Sequence, residues 1–318
     1  MGSKTENAAL GKTFFPGFRA WVLFHGSLST GLGYLVSGGR STFLKKVSRS
    51  FARPLWEYLP AAIRDLHRYG YRNVYVIAGG IANPGISGRT SALYNCAFLY
   101  GPDGKIKGIV TKTNLVAAEK DLGLTAGPRD QNRVFDTEFG KIGIAVCKDL
   151  FDERIVEAMD RAGARLAIQL SHNGQLWGAP AGSAWQPDEW ARATLGAVTG
   201  RRNIRYAASA MQVGKFFTDV FDGQSAVVRA SRYPPHRYVT DTRTYTSAGR
   251  YVGMSPWIKN AAGTTLTGQF LRLARWVAVD PGKGTLAERR ARLTEQGKAY
   301  AAKNAFVQEH LACDLALG

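Results

Sequence analysis

The chain has 318 residues, of which 45% are hydrophobic and 21% are charged. These proportions are typical of a globular protein and exclude the disordered, collagen-like and coiled-coil classes. The net charge is +18, from 42 Lys and Arg against 24 Asp and Glu. A chain of this length favours one large α/β domain over two small ones.

The positive charge is spread along the chain, with only short clusters such as Lys45-Lys46 and Arg201-Arg202. The sequence contains no zinc-finger spacing, no aromatic RNA-binding motif and no basic leucine-zipper repeat. Charge without such a motif supports only weak, salt-sensitive binding to nucleic acid. We therefore expect no nucleic-acid partner. A solvated basic surface, an anionic substrate and an acidic partner all remain open.

The sequence predicts a cytoplasmic protein that does not contact a membrane. No apolar run approaches the roughly 20 residues that a membrane-spanning helix needs. The first ten residues, MGSKTENAAL, contain no apolar stretch after Lys4 and so do not form a secretory signal. The three cysteines, Cys96, Cys147 and Cys313, are far apart and odd in number, which argues against a disulfide framework or a CxxC metal site.

Hydrophobic periodicity predicts the elements in chain order. Residues 13–40, rich in Gly and aromatic residues, predict a loop with short strand pieces. Apolar residues one turn apart predict an amphipathic helix over 52–69, stopped by Gly70. The predicted strands are 73–78, closed by Gly79-Gly80, then 94–100, 106–112, 133–136, 141–146, 166–170, 205–211 and 224–229; the predicted helices are 149–161 and 189–200. This alternation predicts an α/β fold with a mixed sheet.

Two local motifs fix particular connections. Gly101-Pro-Asp-Gly104 is a turn sequence that predicts a hairpin between strands 94–100 and 106–112. Thr285-Leu-Ala-Glu288 matches a capping box and predicts a basic helix that runs to about Leu311. We expect this helix to pack on the body or on a second subunit, so the chain divides into a domain over 1–280 and a terminal helix over 281–318.

Cys147 is the candidate nucleophile. It directly follows the β-branched run 142–146 and precedes a predicted helix. An elbow between a strand and a helix holds a nucleophile rigidly and brings backbone N–H groups toward it, which favours the thiolate. The alternative is a buried, inert cysteine, because free Cys is among the most buried residue types.

Cys147 lies in the stretch FDTEFGKIGIAVCKDL, residues 135–150. This stretch is highly characteristic of the nitrilase superfamily of carbon–nitrogen hydrolases, which the chain resembles. Further matching pieces occur in the family's order and approximate spacing: Tyr94-Asn95, Gly101–Gly104, Lys112 to Glu119 with Gly127, and Ala162–Ala164 with Ser171. The resemblance covers roughly residues 70–230.

The resemblance implies a four-layer αββα sandwich that often forms homodimers or larger homo-oligomers. It also implies a Glu–Lys–Cys catalytic set that acts on a small-molecule amide or nitrile without a metal or an organic cofactor. Cys147 would attack the substrate carbon and form a thioester. Lys112 would stabilise the negative charge that develops, with the N–H of Lys148 as a second donor. Glu119 resembles the second Glu of the family, which orients the lysine and the substrate.

Residues beyond the central set have weaker support. Asp149 matches a Cys-x-Asp pattern that favours amides over nitriles. Asn173 and Trp177 follow Ser171, where the family builds its substrate pocket, although either is equally compatible with an ordinary loop residue. The Pro-Glu pair that carries the first catalytic Glu in the family is absent, and Glu6 is the nearest candidate for the general base. We therefore expect the fold to lack part of its N-terminal strand-helix unit.

The sequence thus predicts a hydrolase of a non-peptide C–N bond, acting on a small amide in preference to a nitrile. Two alternatives remain open at this point. In the first, the thioester passes its acyl group to an amine instead of water. In the second, the chain lacks a functional base and serves as an inactive binding or scaffold protein.

Overall fold

The structure is a computed structural model, and its described residues form two compact units. The described residues are 57–71, 73–84, 92–121, 123–181, 184–216, 219–233, 255, 257–274, 276, 283–303 and 314–317. The first unit contains those up to Arg133 together with Phe216–Asp219, and the second contains Val134–Lys215 and those from Val220 onward. Glu6, Cys313 and the predicted loop over 13–40 lie outside the described residues.

The first unit contains a helix and a three-stranded antiparallel sheet. Its elements are α1 (Leu59–Arg68), β1 (Val76–Ala82), β2 (Tyr94–Tyr100), β3 (Ile106–Thr111) and the short α2 (Ala117–Asp121). The sheet order is β1-β2-β3. The described part of the predicted first helix is confirmed, and it ends where Gly70 adopts a φ of 87°. That left-handed conformation is accessible to Gly at little cost.

The first strand differs from the prediction. Strand β1 continues through Gly79 and Gly80, which pair with Ala97 and Cys96 of β2. The expectation that the glycine pair closes this strand is therefore wrong. The ladder uses backbone groups alone, so pairing along the full length of β2 holds two residues that have weak strand propensity of their own.

The predicted hairpin between β2 and β3 is confirmed. The Gly101 N–H donates to the Lys105 carbonyl at 2.9 Å, and the Gly104 N–H donates to the Gly101 carbonyl at 2.9 Å. Gly104 has a φ of 72°, and a Cβ at that position would lie 2.7 Å from the Pro60 carbonyl oxygen. Only glycine fits this turn against α1.

The second unit contains a six-stranded mixed sheet of order β13-β12-β9-β6-β5-β4. Its strands are β4 (Val134–Thr137), β5 (Gly140–Val146), β6 (Leu166–Ser171), β9 (Tyr206–Met211), β12 (Ala226–Arg229) and β13 (Gln269–Leu273). Strands β5, β6 and β9 are parallel, and the outer pairings are antiparallel. The described residues also form two short hairpins: β7 (Pro180–Ala181) with β8 (Ala184–Trp185), and β10 (Val213–Phe216) with β11 (Asp219–Asp222), of which Phe216 and Asp219 belong to the first unit. The mixed α/β fold class is confirmed, and the four-layer stacking stays a prediction.

The predicted helix over 149–161 is wrong as a single element. A 3₁₀ turn spans Cys147–Phe151, and a separate helix α3 spans Glu153–Arg161. Asp152 separates them because its backbone is extended and its side chain caps α3 by accepting from the Arg154 N–H at 3.1 Å. The next helix, α4 (Gln186–Gly196), begins three residues earlier than predicted, with Pro187 in its first turn.

The C-terminal helix α5 (Leu286–Ala302) opens with the predicted capping box between Thr285 and Glu288. It packs within the second unit, where Leu293 is fully buried and the Thr294 hydroxyl donates to the Gly178 carbonyl. Residues 304–313 lie outside the described residues, and the boundary at 281 stays a prediction. None of the helices described is both long and apolar enough to cross a membrane.

Candidate active site

Lys112 is buried directly after β3 in the first unit. Its N–H donates to the Asn95 carbonyl at 2.8 Å, and its carbonyl accepts from the Gly127 N–H at 2.8 Å. Only 2% of the side chain is exposed. A buried ammonium is costly unless it is paired, so its partner defines the chemistry of this part of the site.

That partner is Glu119, whose Oε2 lies 2.7 Å from the Lys112 Nζ. The same carboxylate accepts from the Asn95 side-chain amide at 2.8 Å and from the Val116 N–H at 2.9 Å. One donor from β2 and two from the segment after β3 therefore fix the carboxylate. These contacts fix the position of the lysine side chain. With 2% and 12% of the two side chains exposed, this is a buried pair and not a solvated surface pair.

The backbone around Lys112 is held by a second set of contacts. Gln131 accepts from the Thr111 N–H at 2.8 Å and donates to the Thr111 carbonyl at 2.7 Å. Gly127 packs so closely that a Cβ would lie 2.7 Å from the same carbonyl oxygen. The end of β3 is therefore fixed from both sides. The close packing against Thr111 explains why residue 127 is a glycine.

Cys147 begins the 3₁₀ turn at the end of β5 in the second unit, as the predicted elbow requires. Val146 is extended, whereas Cys147 has a φ of 50°, in the left-handed region. This conformation is costly for a residue with a side chain and is found at functional sites. The thiol is half-buried. A strained, half-buried cysteine at the C-terminal end of a parallel strand is typical of a positioned nucleophile.

A buried glutamine holds the backbone of the elbow. The Gln169 side-chain amide donates to the Cys147 carbonyl at 2.7 Å, and its oxygen accepts from the Ser209 hydroxyl at 2.9 Å. Gln169 is fully buried and Ser209 nearly so. Neither residue is among those that the sequence predicts to form the site. The signal for Gln169 is a polar side chain inside the largely apolar strand Leu166–Ser171.

Lys148 and Asp149 continue the turn. The Lys148 side chain is exposed, whereas the Asp149 side chain is completely buried. The Asp149 carbonyl accepts from the Asp152 N–H at 3.2 Å, which closes the turn. The first N–H groups of a helical turn have no acceptor inside that turn, so the backbone of Lys148 is suited to donating to a substrate oxygen.

Asn173 and Trp177 lie in the segment that follows β6. Asn173 is half-buried, and its amide lies 3.4 Å from the Gln186 side-chain oxygen at the start of α4. Trp177 is fully buried in the core, where its indole N–H donates to Gln224 at 2.9 Å. These contacts favour an ordinary packing role for Trp177, and the substrate-pocket role of Asn173 and Trp177 stays a prediction.

A buried carboxylate supports this packing. Asp222 accepts from the Trp177 N–H at 2.7 Å and from the Trp276 indole N–H at 3.1 Å. Burial raises the pKa of the Asp222 carboxyl, and these two donors partly offset the rise. Asp222 therefore anchors two tryptophans of the second unit.

The structure thus brings Lys112 and Glu119 together in the first unit and places Cys147, Lys148, Asn173 and Trp177 in the second. Among the described residues, no group of three or more His, Cys, Asp and Glu side chains is arranged to hold a metal ion.

Comparison with known proteins places the chain in a family. The family model for carbon-nitrogen hydrolases matches residues 69–231, more than half of the 318-residue chain. The range contains both the Lys112–Glu119 pair and the Cys147 elbow. The chain belongs to the carbon-nitrogen hydrolase family, which confirms the resemblance seen in the sequence.

Individual relatives are more distant. The chain is 26% identical to Omega-amidase NIT3 of Saccharomyces cerevisiae over 102 residues, which are 30% of this chain and 35% of that protein. It therefore spans about a third of this curated relative. Among solved structures it is similar to a carbon-nitrogen hydrolase from Helicobacter pylori, with a TM-score of 0.45, 20% identity and coverage of 57% of this chain and 62% of that one. It is also similar to an amidase from Nesterenkonia sp., with a TM-score of 0.43, 18% identity and coverage of 60% of this chain and 65% of that one.

Proposed function

We propose that the protein hydrolyses the C–N bond of a small carboxamide through a thioester on Cys147. The observation that carries this proposal is the elbow itself, where Cys147 is half-buried with a φ of 50°. A strained conformation is retained where the surrounding structure enforces it and where it positions a reacting group. The buried Lys112–Glu119 pair supplies the second element, a fixed positive charge.

The first half of the reaction forms the thioester. The Cys147 sulfur attacks the carbonyl carbon of the amide, and the carbonyl oxygen takes up the electron pair of the C=O π bond. We assign the stabilisation of this oxyanion to Lys112 and to the Lys148 N–H, as the family resemblance implies. When the carbonyl re-forms, the C–N bond breaks, and the nitrogen leaves as ammonia after it accepts the proton removed from the thiol.

The second half releases the acid. Water attacks the thioester carbon, the C–S bond breaks, and the sulfur regains a proton. Both halves need a base that accepts a proton and returns it. We assign this role to Glu6, which lies outside the described residues. Glu119 does not act as this base in our proposal, because its two oxygens already accept from Lys112, Asn95 and Val116.

Two observations favour an amide over a nitrile. Asp149 follows Cys147 in the Cys-x-Asp pattern, and its side chain is buried in the turn that carries the nucleophile. The curated relative in yeast is an omega-amidase. Small carboxamides, including ones that carry one carboxylate besides the amide group, are therefore the first substrates to test. The positive charge of the chain fits an anionic substrate of this kind.

The experiment incubates the protein with a panel of small carboxamides and nitriles. Ammonia release is measured by a coupled assay, and the acyl adduct is measured by intact mass spectrometry after an acid quench. We expect ammonia release, with an adduct of the acyl mass that maps to the peptide containing Cys147. The variant C147A should show neither signal.

A matched control is C96A, because Cys96 is buried and lies outside the proposed machinery. This variant should keep both signals. Folded protein that releases no ammonia and forms no adduct with any compound would contradict the proposal and favour the scaffold alternative. An adduct that transfers to added hydroxylamine but not to water would favour acyl transfer. A homo-oligomer and a cytoplasmic location stay predictions.

A further inference from the structure

The geometry points to Gln169 as a positioning residue that holds the Cys147 elbow, with Ser209 holding Gln169 in turn. This inference rests on the proposed function only in that Cys147 is the nucleophile. Gln169 does not touch the reacting atoms. It acts through the backbone carbonyl of Cys147, to which its amide donates at 2.7 Å.

The register of the sheet explains why this contact forms. Gln169 pairs with Ala145 on β5 and with Ser209 on β9, so these three residues occupy neighbouring positions across parallel strands. Cys147 follows Ala145 by two residues and comes directly after the strand ends at Val146. The Gln169 side chain therefore reaches the elbow at the point where β5 ends and the 3₁₀ turn begins.

The surroundings of Gln169 are otherwise apolar. Ala145, Ala167 and Ala207 on the same face of the sheet are completely buried in the core of the second unit. An amide in such a layer is destabilising unless its groups are hydrogen-bonded. Both ends of Gln169 are satisfied, one by the Cys147 carbonyl and the other by the Ser209 hydroxyl. An apolar side chain would pack in this layer without the desolvation cost of an amide. The buried Gln169 side chain instead forms a hydrogen bond with the elbow.

The strain at Cys147 gives this contact its role. A residue with a φ of 50° relaxes toward an ordinary backbone conformation unless its neighbours prevent this. A hydrogen bond to the carbonyl of the strained residue fixes the orientation of the peptide plane that follows it. That plane carries the N–H of Lys148, the proposed donor to the oxyanion. Loss of Gln169 should therefore misplace both the sulfur and this donor.

The test compares Q169L with Q224L. Gln224 is a matched control because it is also a completely buried glutamine of the second unit with two hydrogen bonds, to the Ala274 carbonyl at 2.7 Å and from Trp177 at 2.9 Å. Both variants remove a buried amide and should lower the melting temperature by similar amounts. Of these two glutamines, Gln169 is the one that hydrogen-bonds the elbow. S209A is the second variant, because it leaves the Gln169–Cys147 bond present but loosens the glutamine.

Two reactions are measured on folded protein below its melting temperature. The first is carboxamidomethylation of Cys147 by iodoacetamide, whose rate is followed by peptide mass spectrometry. The second is hydrolysis of any amide that the wild type accepts, for which kcat and KM are determined. We expect Q169L to lower the alkylation rate about tenfold, as loss of one buried hydrogen bond allows. It should also lower kcat by at least that factor and leave KM within about twofold. S209A should give a smaller decrease in the same rates, and Q224L should leave them unchanged.

Equal rates in Q169L and Q224L, or faster alkylation in Q169L, would overturn the inference. If Q169L does not fold, S209A against Q224L decides in the same way. The alkylation rate needs no substrate, so it separates the two proposals. A wild type that hydrolyses no amide but shows the expected order of alkylation rates would refute the proposed function and retain the role of Gln169.

Discussion

The Lys112 ammonium lies 2.7 Å from the Glu119 carboxylate in the first unit, and only 2% of the lysine side chain is exposed. The amide of Asn95 and the N–H of Val116 donate to the same carboxylate. A charged group in this position can neither rotate into water nor exchange its partner without disturbing the end of β3. The pair should therefore contribute to the free energy of unfolding, which can be measured without any assay of activity.

A double-mutant cycle with K112M and E119Q tests this coupling. Each single variant leaves part of a buried charge pair behind, so each should be strongly destabilising. The double variant should be destabilised by less than the sum of the two, with a coupling free energy of at least about 1 kcal/mol. Urea unfolding of the four proteins measures it. Additive effects would mean that the pair makes no joint contribution to stability.

The backbone of Cys147 supports a second prediction. At a φ of 50°, glycine is unstrained, whereas alanine carries the cost of the left-handed region. We expect C147G to be more stable than C147A by about 1 kcal/mol. The opposite order should hold at Ala145, which is buried in extended β5, where A145G should destabilise the protein. Thermal unfolding of the three variants and the wild type checks both signs. A less stable C147G than C147A would show that the elbow is not strained.

The central part of the fold, with Cys147 directly after a strand, was predictable from the sequence. The β-branched run in 142–146 that precedes Cys147 is a local pattern, and so is the capping box at Thr285. The break between the two helical elements at Asp152 also has a local signal, because an Asp can cap a helix that begins at the next residue. The prediction of one helix over 149–161 gave more weight to the continuous helical pattern.

Other features depend on contacts between distant residues. Gln169 reaches the Cys147 carbonyl only because β6 pairs in parallel with β5 in one particular register. The strand character of Gly79 and Gly80 comes from pairing with β2. Trp177 is buried because Asp222 and Gln224, more than forty residues away in sequence, bind its two N–H groups. A single sequence carries no direct signal for such pairings.

Cys96 gives the protein a pH dependence in alkaline solution. Burial raises the pKa of its thiol to about 12. The unfolded thiol ionises near its ordinary pKa of about 8.5. A pKa raised on folding contributes stability that is fully present below that pH and is lost as the pH rises toward about 12. The free energy of unfolding should therefore fall as the pH is raised from about 9.

The variant C96A isolates this contribution. It should reduce the slope of unfolding free energy against pH by up to about 1.4 kcal/mol per pH unit above pH 9. Part of the slope should remain, because burial also raises the pKa of Tyr100 to about 12. Urea unfolding at intervals between pH 8 and 10.5 measures both slopes. An identical slope in the wild type and C96A would contradict the burial of the thiol.

Arg290 fixes the C-terminal helix to the body of the second unit. Its guanidinium donates to the Asp188 carboxylate at 2.7 Å and to the Ser255 hydroxyl at 3.0 Å, and it lies 5.2 Å from the centre of the Trp185 ring. Lysine keeps the charge but has neither the planar group that stacks on an indole nor the forked donors. R290K should therefore loosen α5 even though the net charge is unchanged.

Hydrogen exchange followed by mass spectrometry measures this effect directly. We expect R290K to speed exchange in peptides of Leu286–Ala302, with R290M speeding it further because the ion pair is also lost. The matched control is K298R, because Lys298 is an exposed residue of the same helix whose ion pair with Glu295 lies in solvent. This control should leave exchange unchanged. If R290K exchanged like the wild type, the ion pair alone would hold the helix, and the contact with Trp185 would contribute nothing.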